Sequence, residues 1–245
     1  MKITVNSYNP GTLSQQNPYL SENAIAVWYS YVPENTAIQE QFQTLLSAEE
    51  RQRALFFRFH SDRKRFIHAH GLLRVLIGHY LNTAPKNIVF FRQKDGKPAL
   101  DIALYQSGVT FSLSSSHDMV ACALALRLKV GIDIEYCGGQ WDFQSLVSNL
   151  FHEEEIRALD TIPDSERRNT FFDVWTRKEA FLKGTGEGLN RVLDSFCVYP
   201  APGAVVLEKD GHGISVPGPW RVHSFRLHGS YAAAVAFREP KQLSY

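Results

Sequence analysis

The chain has 245 residues, of which 44% are hydrophobic and 12% aromatic, so it can build a substantial core and does not resemble a disordered protein. Its formal net charge of +1 gives no global attraction to nucleic acid or to a membrane surface. It shows neither a signal-peptide apolar region nor an apolar run of the roughly 18 residues that cross a bilayer. The cysteines Cys122, Cys137 and Cys197 have no disulfide or metal-ligand spacing. We therefore expect a cytoplasmic protein that binds neither nucleic acid nor membrane.

In the first half of the chain, residue patterns predict a strand, two helices and then further strands. Ser47 and Glu50 have the spacing of a capping box, in which the serine caps a helix and the glutamate reaches back to it. Pro98 ends a run with the composition of a turn, and no helix continues through it. The predicted strands are 24–32, 88–92, 109–113 and 120–126, the second helix runs from about 62 to 81, and residues 114–118 form a polar loop.

The second half of the chain repeats this order. The segment 153–159 resembles 49–55, and both end in Arg-Ala-Leu. A long helix at about 164–183 and strands at 196–199, 220–227 and 232–237 follow. A weak repeat at half the chain length predicts an α+β fold of two similar lobes, each a small antiparallel sheet packed with a long helix. We assign 1–129 to the N-terminal lobe and 130–245 to the C-terminal lobe, and expect the ligand site at their junction.

Charged residues in the second half predict a divalent-metal site that handles a phosphorylated substrate. Apolar and other residues alternate over 130–135, so a strand there turns Asp133 and Glu135 to the same side. Residues spaced three and four apart lie on the same face of the long helix. They are Trp175, Lys178, Glu179, Leu182 and Lys183. Carboxylates are the ligands that Mg²⁺ prefers, and lysines beside them suit phosphate oxygens.

Two segments, 131–135 and 175–186, resemble the signatures of the Sfp-type 4′-phosphopantetheinyl transferases. The family patterns are Gly-(Ile/Val)-Asp-(Ile/Val)-Glu and Trp/Phe-x-x-Lys-Glu-Ala/Ser-x-x-Lys-x-x-Gly, and both are complete here. The resemblance implies two similar α+β lobes with coenzyme A (CoA) bound between them. It also implies Mg²⁺-dependent transfer of phosphopantetheine from CoA to a serine of an apo acyl or peptidyl carrier protein, with release of 3′,5′-ADP. One chain then supplies both lobes, which implies a monomer.

The same resemblance implies a role for individual residues. The Mg²⁺ ligands are Asp133, Glu135 and Glu179. The chemistry of such a site calls for a general base, which is either a carboxylate next to the metal or the water bound to it. We expect Glu179 to be the base, because the helix places it beside Lys178 and Lys183, and Lys183 to donate to the transferring phosphate. The residues expected to contact CoA are Arg51, Arg53, Arg65, Lys97, Pro98, Ser114, Ser115, His117, Lys178 and Lys183.

One segment departs from the family pattern. The family usually has a Ser-His pair before the central strand, and that pair contacts the CoA phosphates. Here Ser114 matches the serine, whereas Ser115 stands in place of the histidine and His117 follows two residues later. A serine hydroxyl can still bind phosphate but brings no positive charge, so the departure bears on CoA affinity and not on the type of reaction.

Simpler interpretations of these residues remain open at this stage. Glu179 and Lys183 have the spacing of an ordinary surface ion pair on a helix, and Asp133 and Glu135 that of the solvent face of an edge strand. Two other functions also use the same residues. One is a Mg²⁺-dependent phosphohydrolase or nuclease, and the other is a non-catalytic module that binds CoA or a carrier protein.

Overall fold

The computed structural model describes residues 1–9, 13, 20–34, 36–92, 98–101, 107–139, 142–187, 192–199, 205–209 and 215–238. The chain divides into two compact units, Met1–Arg127 and Leu128–Tyr245. The predicted lobes divide at 129/130 instead.

The N-terminal unit packs a four-stranded sheet against a 22-residue helix, α3. The strand order is β1-β2-β6-β5, and β3 and β4 pair separately as a two-stranded sheet. Its elements are β1 (Lys2–Ser7), β2 (Ala24–Tyr31), α1 (Thr36–Leu45), α2 (Ala48–Leu55), α3 (His60–Leu81), a 3₁₀ turn (Pro85–Asn87), β3 (Phe90–Arg92), β4 (Pro98–Leu100), β5 (Val109–Ser116) and β6 (Met119–Leu126).

The core of this unit lies between α3 and one face of the sheet. Leu72, Leu73, Leu76 and Ile77 are fully buried on α3 and pack in the same cluster as Trp28 of β2. Their spacing of three and four is the apolar stripe of a helix that lies on a sheet. The predicted capping box starts α2, where the Ser47 side chain accepts from the amide of Glu50 and the Glu50 carboxylate accepts from the amide of Ser47.

The C-terminal unit also packs one sheet against a long helix. A five-stranded sheet of order β7-β11-β10-β9-β8 packs against α6, which also has 22 residues. Its elements are β7 (Val130–Tyr136), α4 (Gln144–Leu150), α5 (Glu153–Asp160), α6 (Asp164–Thr185), a 3₁₀ turn (Leu193–Ser195), β8 (Phe196–Cys197), β9 (Val205–Lys209), β10 (Ser215–Leu227) and β11 (Tyr231–Arg238). The predicted α+β class with two similar units in one chain is confirmed.

Two details differ from the sequence-based predictions. Strand β1 pairs in parallel with β2, so the N-terminal sheet is mixed and not wholly antiparallel. The expected polar loop is largely strand, since β5 continues through Ser116 and pairs with β6 up to a tight turn at His117 and Asp118. Among the described residues, no helix is both long and apolar enough to cross a membrane.

Candidate active site

Strand β7 presents two carboxylates on one face of the C-terminal sheet. Asp133 and Glu135 are two residues apart in regular pairing with β11, so their side chains point to the same side. Asp133 is only 3% exposed and Glu135 is half-buried. A buried carboxylate is costly unless a nearby charge or hydrogen bond compensates it, which indicates that this face of the strand has a partner.

That partner is the last part of α6, whose backbone lies directly against β7. A Cβ atom on Gly131 would overlap the carbonyl oxygen of Ala180 and the backbone of Gly184. Only glycine permits backbones to approach this closely. The two signature segments therefore meet at Gly131 and Gly184, and the helix ends just beyond, at Gly186, in a left-handed conformation (φ 79°).

This close approach brings Glu179 and Lys183 to the β7 carboxylates. The Lys183 ammonium donates to Asp133 Oδ1 at 2.6 Å, a charge-assisted hydrogen bond across the strand and the helix. Burial raises the pKa of Glu179, the nearby charges of Asp133 and Glu135 raise it further, and Lys183 opposes them. Three carboxylates therefore share their surroundings with Lys183, and Lys183 does not offset the burial and repulsion that raise the pKa of Glu179.

The chemistry of this donor set fits a divalent cation. Carboxylate oxygens are hard ligands, and Mg²⁺ takes few protein ligands while keeping several waters. The repulsion that raises the pKa of Glu179 is of the kind that a bound cation removes. Asp133, Glu135 and Glu179 are the residues that would hold it.

Lys178 does not lie with this group, contrary to the sequence-based prediction. Its ammonium is fully buried and donates to the carbonyl oxygens of Leu193 and Phe196, at 2.8 and 2.7 Å. It also lies 2.8 Å from Glu155 Oε2, whose side chain is equally inaccessible. Lys178 and Glu179 are adjacent on α6, and adjacent helical residues point about 100° apart, so they face different neighbours. Lys178 is therefore removed from the predicted CoA contacts.

Glu155 is a residue of this region that the sequence analysis did not identify. It is the third residue of α5 and accepts from the amide of His152, which caps the helix. Its other oxygen accepts from the amide of Val198 at 2.7 Å. The acidic run of 153–155 was the available signal, but only the capping position of His152 distinguishes Glu155 from its neighbours.

A second group of metal-ligating residue types surrounds His152. Donor atoms of His152, Glu154 and Cys197 lie within 4.8 Å of one another. However, His152 Nδ1 accepts from the amide of Glu154, so the neutral ring carries its proton on Nε2 and offers no lone pair. Cys197 donates to the carbonyl of Tyr199, and burial raises the pKa of its thiol to about 12. These contacts indicate a structural role for the group.

The predicted basic residues lie on α2 and α3 of the N-terminal unit. The Arg51 guanidinium donates to the carbonyl of Leu46, which ties it to its own chain. Arg53 lies over the ring of Phe66, with its guanidinium carbon 5.4 Å from the ring centre. Arg65 pairs with Asp62 at 3.2 Å, and its buried Nε donates no hydrogen bond within the described residues.

The predicted serine and histidine positions occupy β5 and its turn. Ser114 is buried and Ser115 is exposed, since neighbouring residues of a strand point to opposite faces. His117 has a positive φ of 52° and pairs with Asp118 at 3.1 Å. Pro98 is half-buried at the start of β4, opposite Arg92, and Lys97 lies outside the described residues.

Comparisons with known proteins match most of the chain, in both units. A family model described as the 4′-phosphopantetheinyl transferase superfamily matches residues 129–236, and one described as the N-terminal part of a 4′-phosphopantetheinyl transferase matches residues 30–127. The transferase HetI of Nostoc sp. is 33% identical over 72% of this chain and 74% of its own. The chain belongs to the 4′-phosphopantetheinyl transferase superfamily.

Further relatives of this transferase come from bacilli. The psf-1 transferase of Bacillus pumilus is 31% identical over 82% of each chain, and Sfp of Bacillus subtilis is 28% identical over 82% of this chain and 86% of its own. A crystal structure of the holo-[acyl-carrier-protein] synthase of Thermotoga maritima aligns with 46% of this chain and 65% of its own, at 23% identity and a TM-score of 0.37. That structural likeness is too slight to support an argument.

Membership decides between the functions that the sequence analysis left open. The protein is an enzyme that transfers the 4′-phosphopantetheine group from CoA to a serine of a carrier protein and releases 3′,5′-ADP. A phosphohydrolase and a non-catalytic binding module no longer need to be considered.

Proposed function

We propose that this transferase depends on Mg²⁺ and that Asp133, Glu135 and Glu179 are the residues that hold the ion. The observation that supports the proposal is the convergence of these carboxylates beside Lys183, where burial raises the pKa of Glu179 and the charges of Asp133 and Glu135 raise it further. When bound, the cation neutralises charge on the CoA diphosphate. No nucleophile is needed from this chain, because the attacking hydroxyl belongs to the carrier protein.

The residues around the carboxylates have separate roles in the proposed reaction. The carrier serine oxygen forms a bond to the phosphorus of the phosphopantetheine group, and the bond from that phosphorus to the oxygen of the leaving 3′,5′-ADP breaks. Glu179 takes the serine proton, since it lies with the strand carboxylates that would hold the ion. Lys183 donates a hydrogen bond to a phosphate oxygen as negative charge increases there.

We propose that both units contribute to CoA recognition. Arg53 and Arg65 on α2 and α3 are the leading candidates for the phosphates of CoA, since Arg65 keeps a buried donor available. Arg51 ranks lower because its guanidinium already donates to the backbone. The proposed CoA contacts also include Ser114, Ser115, His117, Lys97 and Pro98.

We also propose that the enzyme acts in the cytoplasm as a monomer. Its three cysteines are all free thiols, as expected in a reducing compartment. One chain carries two sheet-and-helix units, which supports the proposal of a monomer.

The proposal is tested by the intact mass of an apo acyl carrier protein incubated with CoA, Mg²⁺ and a trace of enzyme. We expect a gain of one phosphopantetheine, abolished by EDTA and restored by excess Mg²⁺. Asp133→Asn should remove the activity, whereas Asp142→Asn, an exposed carboxylate nearby in the chain, should retain it. Transfer that continues unchanged in EDTA or in Asp133→Asn would contradict the proposed metal site.

A further inference from the structure

The same buried ion pair occurs once in each unit of the enzyme. In the N-terminal unit, Glu50 lies at the third position of α2 and accepts from Arg74 of α3 at 2.8 Å. Arg74 also donates to the carbonyl oxygens of Pro85 and Ile88, in the segment that follows α3. One cation thus connects the capping glutamate, the long helix and the chain beyond it.

In the C-terminal unit, Glu155 and Lys178 repeat each of these contacts. Glu155 lies at the third position of α5, and Lys178 connects it to the carbonyl oxygens of Leu193 and Phe196, in the segment that follows α6. Both side chains are completely inaccessible to solvent. Burial lowers the pKa of Lys178, and the charge of Glu155 and its hydrogen bond oppose that effect. A fully buried pair that is satisfied on every side fixes geometry strongly, since any movement leaves a charge without its partner.

The C-terminal pair differs from the N-terminal pair because Lys178 lies next to the proposed metal ligand Glu179 on α6. Lys178 immediately precedes Glu179, so fixing the one also fixes the direction in which the other leaves the helix. The carboxylates of Glu179, Asp133 and Glu135 repel one another, so contacts elsewhere on α6 have to hold Glu179 beside the two strand carboxylates. On α3 the corresponding strand–helix contact is a neutral one, from Trp28 Nε1 to the Tyr80 hydroxyl.

We propose that Glu155 and Lys178 are positioning residues for the metal site: they hold α6 in the rotation that presents Glu179 to Asp133 and Glu135. The inference rests on the proposed Mg²⁺ site. Lys178, a lysine of the family signature, would thus shape the cation site without contacting CoA.

The test compares two double variants that remove the pair without leaving a buried charge. They are Glu155→Gln/Lys178→Met and, as the matched control in the other unit, Glu50→Gln/Arg74→Met. Binding of Mn²⁺ at saturating CoA, without carrier protein, is measured by electron paramagnetic resonance at a temperature at which both variants are folded. Steady-state kinetics give kcat and the KM values for Mg²⁺ and carrier protein.

We expect the Glu155/Lys178 variant to bind Mn²⁺ about 10- to 100-fold more weakly, the range for residues that orient metal ligands. Its KM for Mg²⁺ should rise and its kcat fall, while its KM for carrier protein stays within about 2-fold. The control should keep wild-type Mn²⁺ affinity even where it loses as much thermal stability. The single variant Lys178→Arg keeps Glu155 and copies the N-terminal pair. It should bind Mn²⁺ more tightly than the Glu155→Gln/Lys178→Met variant.

Equal Mn²⁺ affinity in the wild type and the Glu155/Lys178 variant would overturn the positioning role and leave the proposed function intact. Failure of the wild type to bind Mn²⁺ with CoA would overturn the metal site and the positioning role together. If the double variant does not fold, Glu155→Asp replaces it, since it keeps the charge and shortens the reach. Weaker Mn²⁺ binding by Glu155→Asp then supports the role, and unchanged binding overturns it.

Discussion

The ammonium of Lys183 lies 2.6 Å from Asp133 Oδ1, so one cation of α6 already neutralises part of the charge of the carboxylate cluster. This arrangement gives Lys183 two opposed effects. It competes with a metal ion for Asp133, and it is placed to stabilise charge on the transferring phosphate. Substitution at this position should separate the two.

Lys183→Gln should raise the affinity for Mn²⁺ and lower the rate of transfer. Removing the ammonium leaves more negative charge for the cation, whereas the loss of a donor to the developing charge costs about 10²- to 10³-fold in kcat. Mn²⁺ titration with CoA and initial rates with apo carrier protein measure the two effects. Lys86→Gln, at an exposed position in the other unit, is the control. A fall in Mn²⁺ affinity would contradict the proposed competition.

Glu179→Gln should stabilise the metal-free protein while abolishing transfer. The raised pKa of Glu179 means that the folded protein disfavours its negative charge, so a neutral amide relieves repulsion from Asp133 and Glu135. A gain of about 1 kcal/mol corresponds to about 2–4 °C in Tm. Thermal unfolding in EDTA measures the gain, and addition of Mg²⁺ should raise the Tm of the wild type but not of the variant. An unchanged Tm in EDTA together with full activity would exclude Glu179 as a metal ligand and general base.

The Glu50–Arg74 pair should make the N-terminal unit sensitive to acid. Burial raises the pKa of Glu50, but hydrogen bonds from His70 and the Ser47 amide, with the charges of His70 and Arg74, outweigh burial and bring the pKa to about 2. The ionised form is thus favoured in the folded state. Its contribution of about 3 kcal/mol is present above pH 4.5 and is lost as the pH falls towards 2.

Urea unfolding between pH 7 and pH 2.5 tests this dependence. Glu50→Gln should be less stable than the wild type at pH 7, and its stability should change less as the pH falls. Glu49→Gln, next to it and 78% exposed, should follow the wild-type curve. Parallel curves for Glu50→Gln and the wild type would show that Glu50 does not cause the acid sensitivity.

Gly131→Ala should be more damaging than Gly184→Ala. A methyl group at Gly131 meets the carbonyl of Ala180 and the backbone of Gly184, and neither can move without shifting α6. A methyl group at Gly184 chiefly meets the ring of Trp220, and the one backbone atom among its three nearest neighbours, the amide nitrogen of Gly131, is 3.3 Å away. Overpacking of this kind costs about 1–3 kcal/mol, with the larger cost expected at Gly131. Urea unfolding and initial rates compare the two, and equal losses would contradict the close backbone contact as the cause.

Local patterns predicted much of the fold and part of the site. The capping box at Ser47 and the alternation of β7 depend on residues close in sequence, and each placed its element correctly. The loop predicted at 114–118 was largely wrong. Serine favours turns, but pairing with β6 extends the strand through the serines at 114–116. Strand β1 was not predicted, and its parallel pairing with β2 is a tertiary contact.

The contacts of Lys178 and Glu155 could not be predicted from local sequence patterns, for two separate reasons. Spacings of three and four describe a wide arc of a helix, and only the neighbours of α6 distinguish the side of Lys178 from that of Glu179. The repeated Arg-Ala-Leu aligns Glu50 with Glu154, whereas the two capping boxes align Glu50 with Glu155. Histidine is also outside the usual capping residues, so the second box was not recognised.

The neutral Trp28–Tyr80 contact of the first unit shows where the enzyme can be made more robust. That strand–helix contact joins two neutral side chains of the hydrophobic core, so tighter packing there brings no like charges together. Its counterpart between β7 and α6 must keep carboxylates close together at a cost in stability. Selection for heat resistance should therefore accumulate substitutions around Trp28 and leave Gly131 and Glu179 unchanged.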